Sequence, residues 1–402
     1  MMPTTSRARW STLPAALALV VAVAACASEG GSEGEAAGGG RGAAATTTTT
    51  TAEPAPEATY PDPDWVAGDP AALGIDPAVL DELVQLAGDR SSSCLVVTRD
   101  GFLVGEWYWN GWDATTAGEI FSASKSVTST LVGIAQDRGE LDVDEPASRY
   151  VTEWQGTPSE DVTIANLLGN DSGREWDLIT DYVGMAVQAT DKSAFAAGLG
   201  QRHEPGTVWE YNNAAIQNLE TVLERATGRD VAEYAEEHLF GPTGMASTDM
   251  GRDAAGNTVA YAHVRSSCRD LARFGYLFLR EGTWAGGEQV VSAEWVEEAT
   301  SPSTDLNSAY GYLWWLNVDG HWVKPSVPAG KPEGDGRRVP DAPEDMFAAQ
   351  GMGGQLAIVL PSTGVVVSRM GPAGSALDAE LGGGDLDVEI ETLAARLVPG
   401  DG

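Results

Sequence analysis

Apolar residues recur along this chain in two rhythms, and the switches between them outline a fold. Between Leu73 and Ala87, Leu80, Leu83 and Leu86 keep the spacing of one helix face. Cys94-Leu95-Val96-Val97-Thr98 is then a short β-prone run, and Phe102-Leu103-Val104 is another. The Arg99-Asp100-Gly101 between them predicts a β-hairpin, because Asp-Gly suits a tight turn. From Ser122 onward Val127, Leu131, Ile134 and Ala135 return to helical spacing, and Gly139 is placed to end that helix. The middle, from about 139 to 301, reads as helix-rich. Its stripes are Ile216, Leu219, Leu223 and Ala226, stopped by Gly228, and Leu271, Phe274, Leu277 and Phe278. Strands return at 311–317, 355–360 and 365–370, the last two joined through Pro361-Ser362-Thr363-Gly364. Leu386, Ile390, Leu393 and Leu397 predict a closing helix. Strands at both ends with helices between them predict a mixed α/β fold. One antiparallel sheet would be built from the N- and C-terminal segments, with the helical region inserted.

The first 64 residues do not share this patterning. Arg7 and Arg9 precede an apolar stretch from Leu13 to Ala25, too short for an ordinary spanning helix. It ends in Val23-Ala24-Ala25-Cys26, which resembles a bacterial lipobox. The resemblance implies cleavage before Cys26, lipid attachment to that cysteine, and an exported lipoprotein anchored on the extracytoplasmic side of a membrane. Residues 26–64 are rich in Gly, Ser, Thr and Pro and read as a disordered tether. The expected organisation is a leader over 1–25, a tether over 26–64 and one folded unit over 65–402.

Composition narrows the choices. The chain has 402 residues, with 59 acidic against 24 basic side chains and a net charge of −35. Phosphate would be repelled, so a general nucleic-acid binder is excluded. If Cys26 carries lipid, Cys94 and Cys268 remain, and in an oxidising compartment they are a candidate disulfide. The four histidines are scattered without metal-ligand spacing and there is no P-loop, so no cofactor is expected. Oligomeric state is left open.

The chemistry starts from a scarcity. There are four lysines, Lys125, Lys192, Lys324 and Lys331, and Lys125 alone has a serine three residues before it. Three apart on a helix means one face, so Ser122 and Lys125 would lie side by side. A lysine can be made neutral by burial, whereas an arginine cannot. Ser122 is therefore a candidate nucleophile and Lys125 its candidate base, at a helix N-terminus that favours developing negative charge.

Further motifs follow in order. Phe121-Ser122-Ala123-Ser124-Lys125 is the first, and Leu167-Leu168 through Asp171-Ser172-Gly173 the second. Pro205-Gly206-Thr207 leads into Tyr211-Asn212-Asn213. Arg269 to Gly275 comes next, and then Gln350-Gly351-Met352-Gly353-Gly354-Gln355 before an apolar strand. Together they resemble the penicillin-recognising serine hydrolases, in the class C β-lactamase-like branch. That branch includes family VIII carboxylesterases, D,D-peptidases and 6-aminohexanoate-dimer hydrolases. The resemblance covers roughly 73–397 and implies a β-lactamase/D,D-peptidase-like fold. It implies Ser122 as nucleophile, Lys125 as activating amine and Tyr211 as the phenol that passes a proton to the leaving group. It also implies Asn213 as the residue orienting the lysine or the substrate amide, and Gln350, Gly351 and Met352 as the substrate and oxyanion strand. The partner would be a small-molecule or short-peptide-like ester or amide. One departure matters: where the β-lactamases carry K-T-G, this chain has Ala349-Gln350-Gly351. The missing cation points to an esterase or amidase. The alternatives are a β-lactamase or D,D-carboxypeptidase, and a non-catalytic envelope lipoprotein. The stretch 324–343, with Lys324, Lys331, Arg337 and Arg338, is expected near the cleft rim, where Arg337 or Arg338 could replace the missing charge.

Overall fold

The computed structural model describes residues 58–326, 330–372 and 386–399. The expectations for the leader, for Cys26 and for the tether as far as residue 57 lie outside the described residues. The rest of the tether does not behave as one. Thr59 N–H donates to Asp100 O at 2.9 Å, and Tyr60 packs edge-on against Tyr276 and Trp284 at 5.5 and 5.8 Å. The fold therefore begins before Trp65, because an aromatic ring and a backbone pairing fix this segment.

The first helix, α1, runs Pro77–Asp89 and starts later than the leucine spacing alone predicts. Asp76 caps it by accepting from the N–H groups of Ala78 and Val79, and Pro77 fills the first helical position. Strand β1 (Val66–Ala67) precedes it, and β2 (Cys94–Arg99) and β3 (Phe102–Tyr108) follow, with Asp100 and Gly101 both at positive φ in the hairpin turn. Late in the chain come β4 (Trp315–Leu316), β5 (Phe347–Gly351), β6 (Gln355–Leu360) and β7 (Val365–Met370). The seven strands form one sheet in the order β1-β3-β2-β7-β6-β5-β4. All its pairs are antiparallel except β1 with β3. The strand expected over 311–317 shrinks to β4. Leu313 turns to φ 63°, and Gly311 lies so close to Ala299 O that a Cβ there would come within 2.2 Å. The chain bends where the apolar run suggested continuity.

Both faces of the sheet are covered, which is why β2 reads as an unbroken apolar run rather than an alternating one. On one side Cys94 and Val96 join a core with α2 (Ser124–Asp137), α3 (Asn213–Thr227) and α4 (Cys268–Leu279). On the other, Leu95 and Val97 pack with α1 and α5 (Leu386–Arg396). Gly139 and Gly228 end α2 and α3 at φ 69° and 67°. Cys94 and Cys268 are joined as a disulfide with Cα atoms 6.2 Å apart, so β2 is tied to the first residue of α4. No helix among the described residues is long and apolar enough to cross a membrane.

Candidate active site

A single 3₁₀ turn, Phe121–Ala123, feeds directly into α2. Phe121 holds φ 47°, an uncommon left-handed position for a bulky residue, and it turns the chain sharply before Ser122. The turn is packed under β5. A Cβ on Gly351 would stand 2.0 Å from Ile120 O and 3.0 Å from Ala123 N, so only glycine lets the strand approach this closely. That contact sets the end of β5, and Met352 after it, beside the serine.

Lys125 rises one turn along α2. Its Nζ donates to Ser122 Oγ at 2.9 Å and to Tyr261 O at 2.9 Å. Burial pushes this amine down to about 7, and the Asp181 carboxylate nearby pulls in the opposite direction. Nζ also lies 4.8 Å from the centre of the Tyr211 ring, and Ser122 hydrogen-bonds the Tyr211 phenol. Burial pushes that phenol well above its ordinary value, so it stays protonated at neutral pH. Ser122, Lys125 and Tyr211 thus meet at one point, from two separate segments of the chain.

Tyr211 is packed among aromatic rings. Trp315 stacks on its ring at 6.1 Å, with Tyr310 and Trp209 at 6.2 and 6.4 Å. Asn170, left-handed at the end of helix Ile164–Gly169, accepts from Glu210 N–H through its backbone and from Asn212 N–H through its side chain. The Leu167-to-Gly173 motif is therefore a buttress for the tyrosine segment.

The remaining expected residues divide. Asn213 opens α3 beside Tyr211, but its Nδ2 donates to Asp181 Oδ2 at 2.7 Å rather than engaging Lys125. Gln350 is a correction: strand alternation turns it to the α5 side of the sheet, where Nε2 donates to Glu391 at 2.6 Å. Met352 is partly exposed. The basic loop is a second correction. Lys331 donates to Trp209 O and to Glu210, Arg337 to Ala342 O, and buried Arg338 to Glu391. These three cations are spent inside the fold, so neither arginine replaces the charge missing at Ala349.

Asp181 is the residue that sequence reasoning missed. It sits on a π-helix, Thr180–Gln188, fully buried, and accepts from Asn213 N–H and Nδ2, Ala214 N–H and Trp176 Nε1. Burial raises its carboxyl, while these hydrogen bonds and Lys125 favour the anion. Its one sequence signal was an acid set inside the apolar run Leu178 to Val183.

Comparison with known proteins gives a consistent set of relatives. The beta-lactamase family profile matches residues 78–371. The 6-aminohexanoate-dimer hydrolase of Paenarthrobacter ureafaciens is 30% identical over 242 residues, covering 54% of this chain and 59% of that one. Penicillin-binding protein 4* of Bacillus subtilis is 28% identical over 141 residues, covering 32% of this chain and 30% of its own length. Both alignments span less than two thirds of the relative. Among solved structures, a family VIII carboxylesterase superposes with a TM-score of 0.57 at 16% identity, over 78% of this chain and 98% of that one, a likeness of fold.

Proposed function

The chain belongs to the beta-lactamase family, and from that premise we propose that it is a serine hydrolase cleaving an ester or amide through an acyl-enzyme on Ser122. The observation that carries this reading is the buried Lys125 amine, 2.9 Å from Ser122 Oγ and brought down to about 7. A neutral amine at that distance accepts the serine proton as Oγ forms a bond to the substrate carbonyl carbon. Tyr211, held protonated, donates to the departing alkoxide or amine as its bond to carbon breaks, and regains a proton from Lys125. Water then repeats the sequence on the acyl-enzyme, releasing the acid and restoring Ser122. The backbone N–H groups of Ser122 and Met352 serve the oxyanion.

Ala349 in place of a lysine, with Lys331, Arg337 and Arg338 internally engaged, favours an esterase or amidase over a β-lactamase or D,D-carboxypeptidase. The lipobox-like Val23 to Cys26 supports an exported, membrane-anchored lipoprotein, and the Cys94–Cys268 bond supports an oxidising compartment. A fluorophosphonate should label Ser122, and Ser122→Ala should abolish both labelling and turnover of p-nitrophenyl esters. Labelling at another serine would sink the assignment.

A further inference from the structure

Met352, Gly353 and Gly354 form the loop between β5 and β6, whose ends pair Gly351 with Gln355. Gly353 and Gly354 hold φ 90° and 67°, so the loop turns in the left-handed region. Loops ordinarily run over the surface, where water satisfies their carbonyls. Here each of the three carbonyls is taken by one of two fully buried side chains. Gln355 Nε2 donates to Met352 O at 3.1 Å. Arg369 Nη1 donates to Gly353 O and, at 2.9 Å, to Gly354 O. The first group of this loop is the Met352 N–H.

Both side chains are anchored in turn. Gln355 closes a two-way pair with Gly371: Nε2 donates to Gly371 O at 2.6 Å, and Oε1 accepts from Gly371 N–H at 3.0 Å. Arg369 stands on β7 opposite Leu356 of β6. Its Nε donates to Ser92 Oγ at 2.7 Å, and Nη2 to Arg90 O at 3.1 Å, at the C-terminal end of α1. Carbonyls at a helix C-terminus favour a cation, and the Asp387 carboxylate at the start of α5 does the same. Burial still lowers the guanidinium to about 10. A charge is thus held out of water beside a loop that turn residues alone could close. What it provides is a loop whose peptide planes cannot turn.

The geometry points to Arg369 and Gln355 as positioning residues for the oxyanion: they lock the 352–354 loop so that the Met352 N–H stays aimed at the oxygen that turns negative at Ser122. The proposal rests on the acyl-transfer reading of Ser122, with Met352 as the second oxyanion donor. Gly351, wedged against Ile120 O and the Ala123 nitrogen, fixes the foot of the loop at the serine turn. Gln355 and Arg369 fix the rest of it. A donor held in this way needs no reorganisation when charge develops, which is the source of its effect on rate.

The test compares kcat/KM for p-nitrophenyl acetate and its thiono counterpart, in which sulfur replaces the carbonyl oxygen. Sulfur is larger and a weaker acceptor, so a rigid pair of N–H donors prefers oxygen and a loosened pair prefers it less. The wild-type ratio of ester to thionoester should be about 100-fold or more. Gln355→Met and Arg369→Met should each lower it by about tenfold, and Arg369→Lys, which keeps a donor, should recover part of that loss. The pH midpoint of acylation should stay at about 7, since Lys125 is untouched. Tyr234→Phe, which breaks a hydrogen bond to Glu140 beyond the far end of α2, should keep the wild-type ratio. A ratio cancels any loss of active enzyme, so partial misfolding does not imitate the result. If Arg369→Met fails to fold, Gln355→Met decides alone. A wild-type ratio near one, an unchanged ratio in the variants, or a shifted midpoint overturns the proposal while leaving the acyl-transfer reading intact. No ester turnover and no label on Ser122 in the wild type removes both readings.

Discussion

Lys125 takes up a proton as the pH falls through about 7, and an ammonium cannot accept the serine proton. Acylation should therefore rise with pH through a midpoint near 7. Asp181 favours the ammonium, so Asp181→Asn should weaken that hold and move the midpoint to lower pH. An asparagine has one oxygen where Asp181 uses two, for Ala214 N–H on one and the Asn213 and Trp176 donors on the other, so thermal unfolding is measured beside it. Tyr211 and Tyr261, the phenols facing Lys125, are both held protonated by burial and do not titrate in this range. The rate of fluorophosphonate labelling against pH measures the midpoint directly. A midpoint that stays put or moves up would show that Asp181 has no electrostatic share in the reaction. At this scale the pair Ser122 and Lys125 was legible because lysine is scarce and the pair is local in the chain. Asp181 was not, because it reaches the lysine only after a distant helix folds across the site. Asn213 is the converse case: its motif was visible, its partner was not.

Among the elements, the approach of β5 to the 3₁₀ turn carries the most weight for catalysis. A methyl at Gly351 would meet Ile120 O at 2.0 Å, and neither backbone can yield without displacing Ser122 or Met352. Gly351→Ala should cost on the order of 100-fold in kcat/KM, the scale of a misplaced oxyanion donor, and about 1–3 kcal/mol of stability through overpacking. Ester kinetics beside thermal unfolding will separate the two effects. Wild-type turnover in this variant would refute the placement of the strand. Elements with local turn chemistry, such as the Asp100-Gly101 hairpin and the β6–β7 pair, could be read with their ends nearly in place. The start of α1 was misjudged because leucine spacing outweighed the Asp76-Pro77 cap signal. The π-helix over the site has no signature of its own, since Tyr182, Val183 and Val187 are exposed and only Met185 among its large apolar residues is buried in the core.

At the scale of the whole molecule, the Cys94–Cys268 bond closes a loop with a sequence separation of 174 residues. In the chain-entropy account such a loop contributes about 5 kcal/mol. Replacing both cysteines with serine should lower Tm by roughly 7 °C, with ester turnover at 25 °C retained because neither residue belongs to the reaction centre. An unchanged Tm would mean that the unfolded chain is already compact without the bond. The topology was legible in outline, because strands clustered at both ends of the sequence. Which strands are neighbours was not, since pairing depends on contacts that no local pattern encodes. Here the arrangement has a consequence for how the protein is made. β7, the last of the seven strands in chain order, lies between β2 and β6. Until it emerges, the β2–β3 hairpin has an open edge and no central partner. The sheet cannot close strand by strand in chain order, because its last strand is a central one. A nascent chain stalled anywhere before residue 365 is therefore a sticky, half-built sheet, which makes such fragments natural substrates for chaperones and proteases.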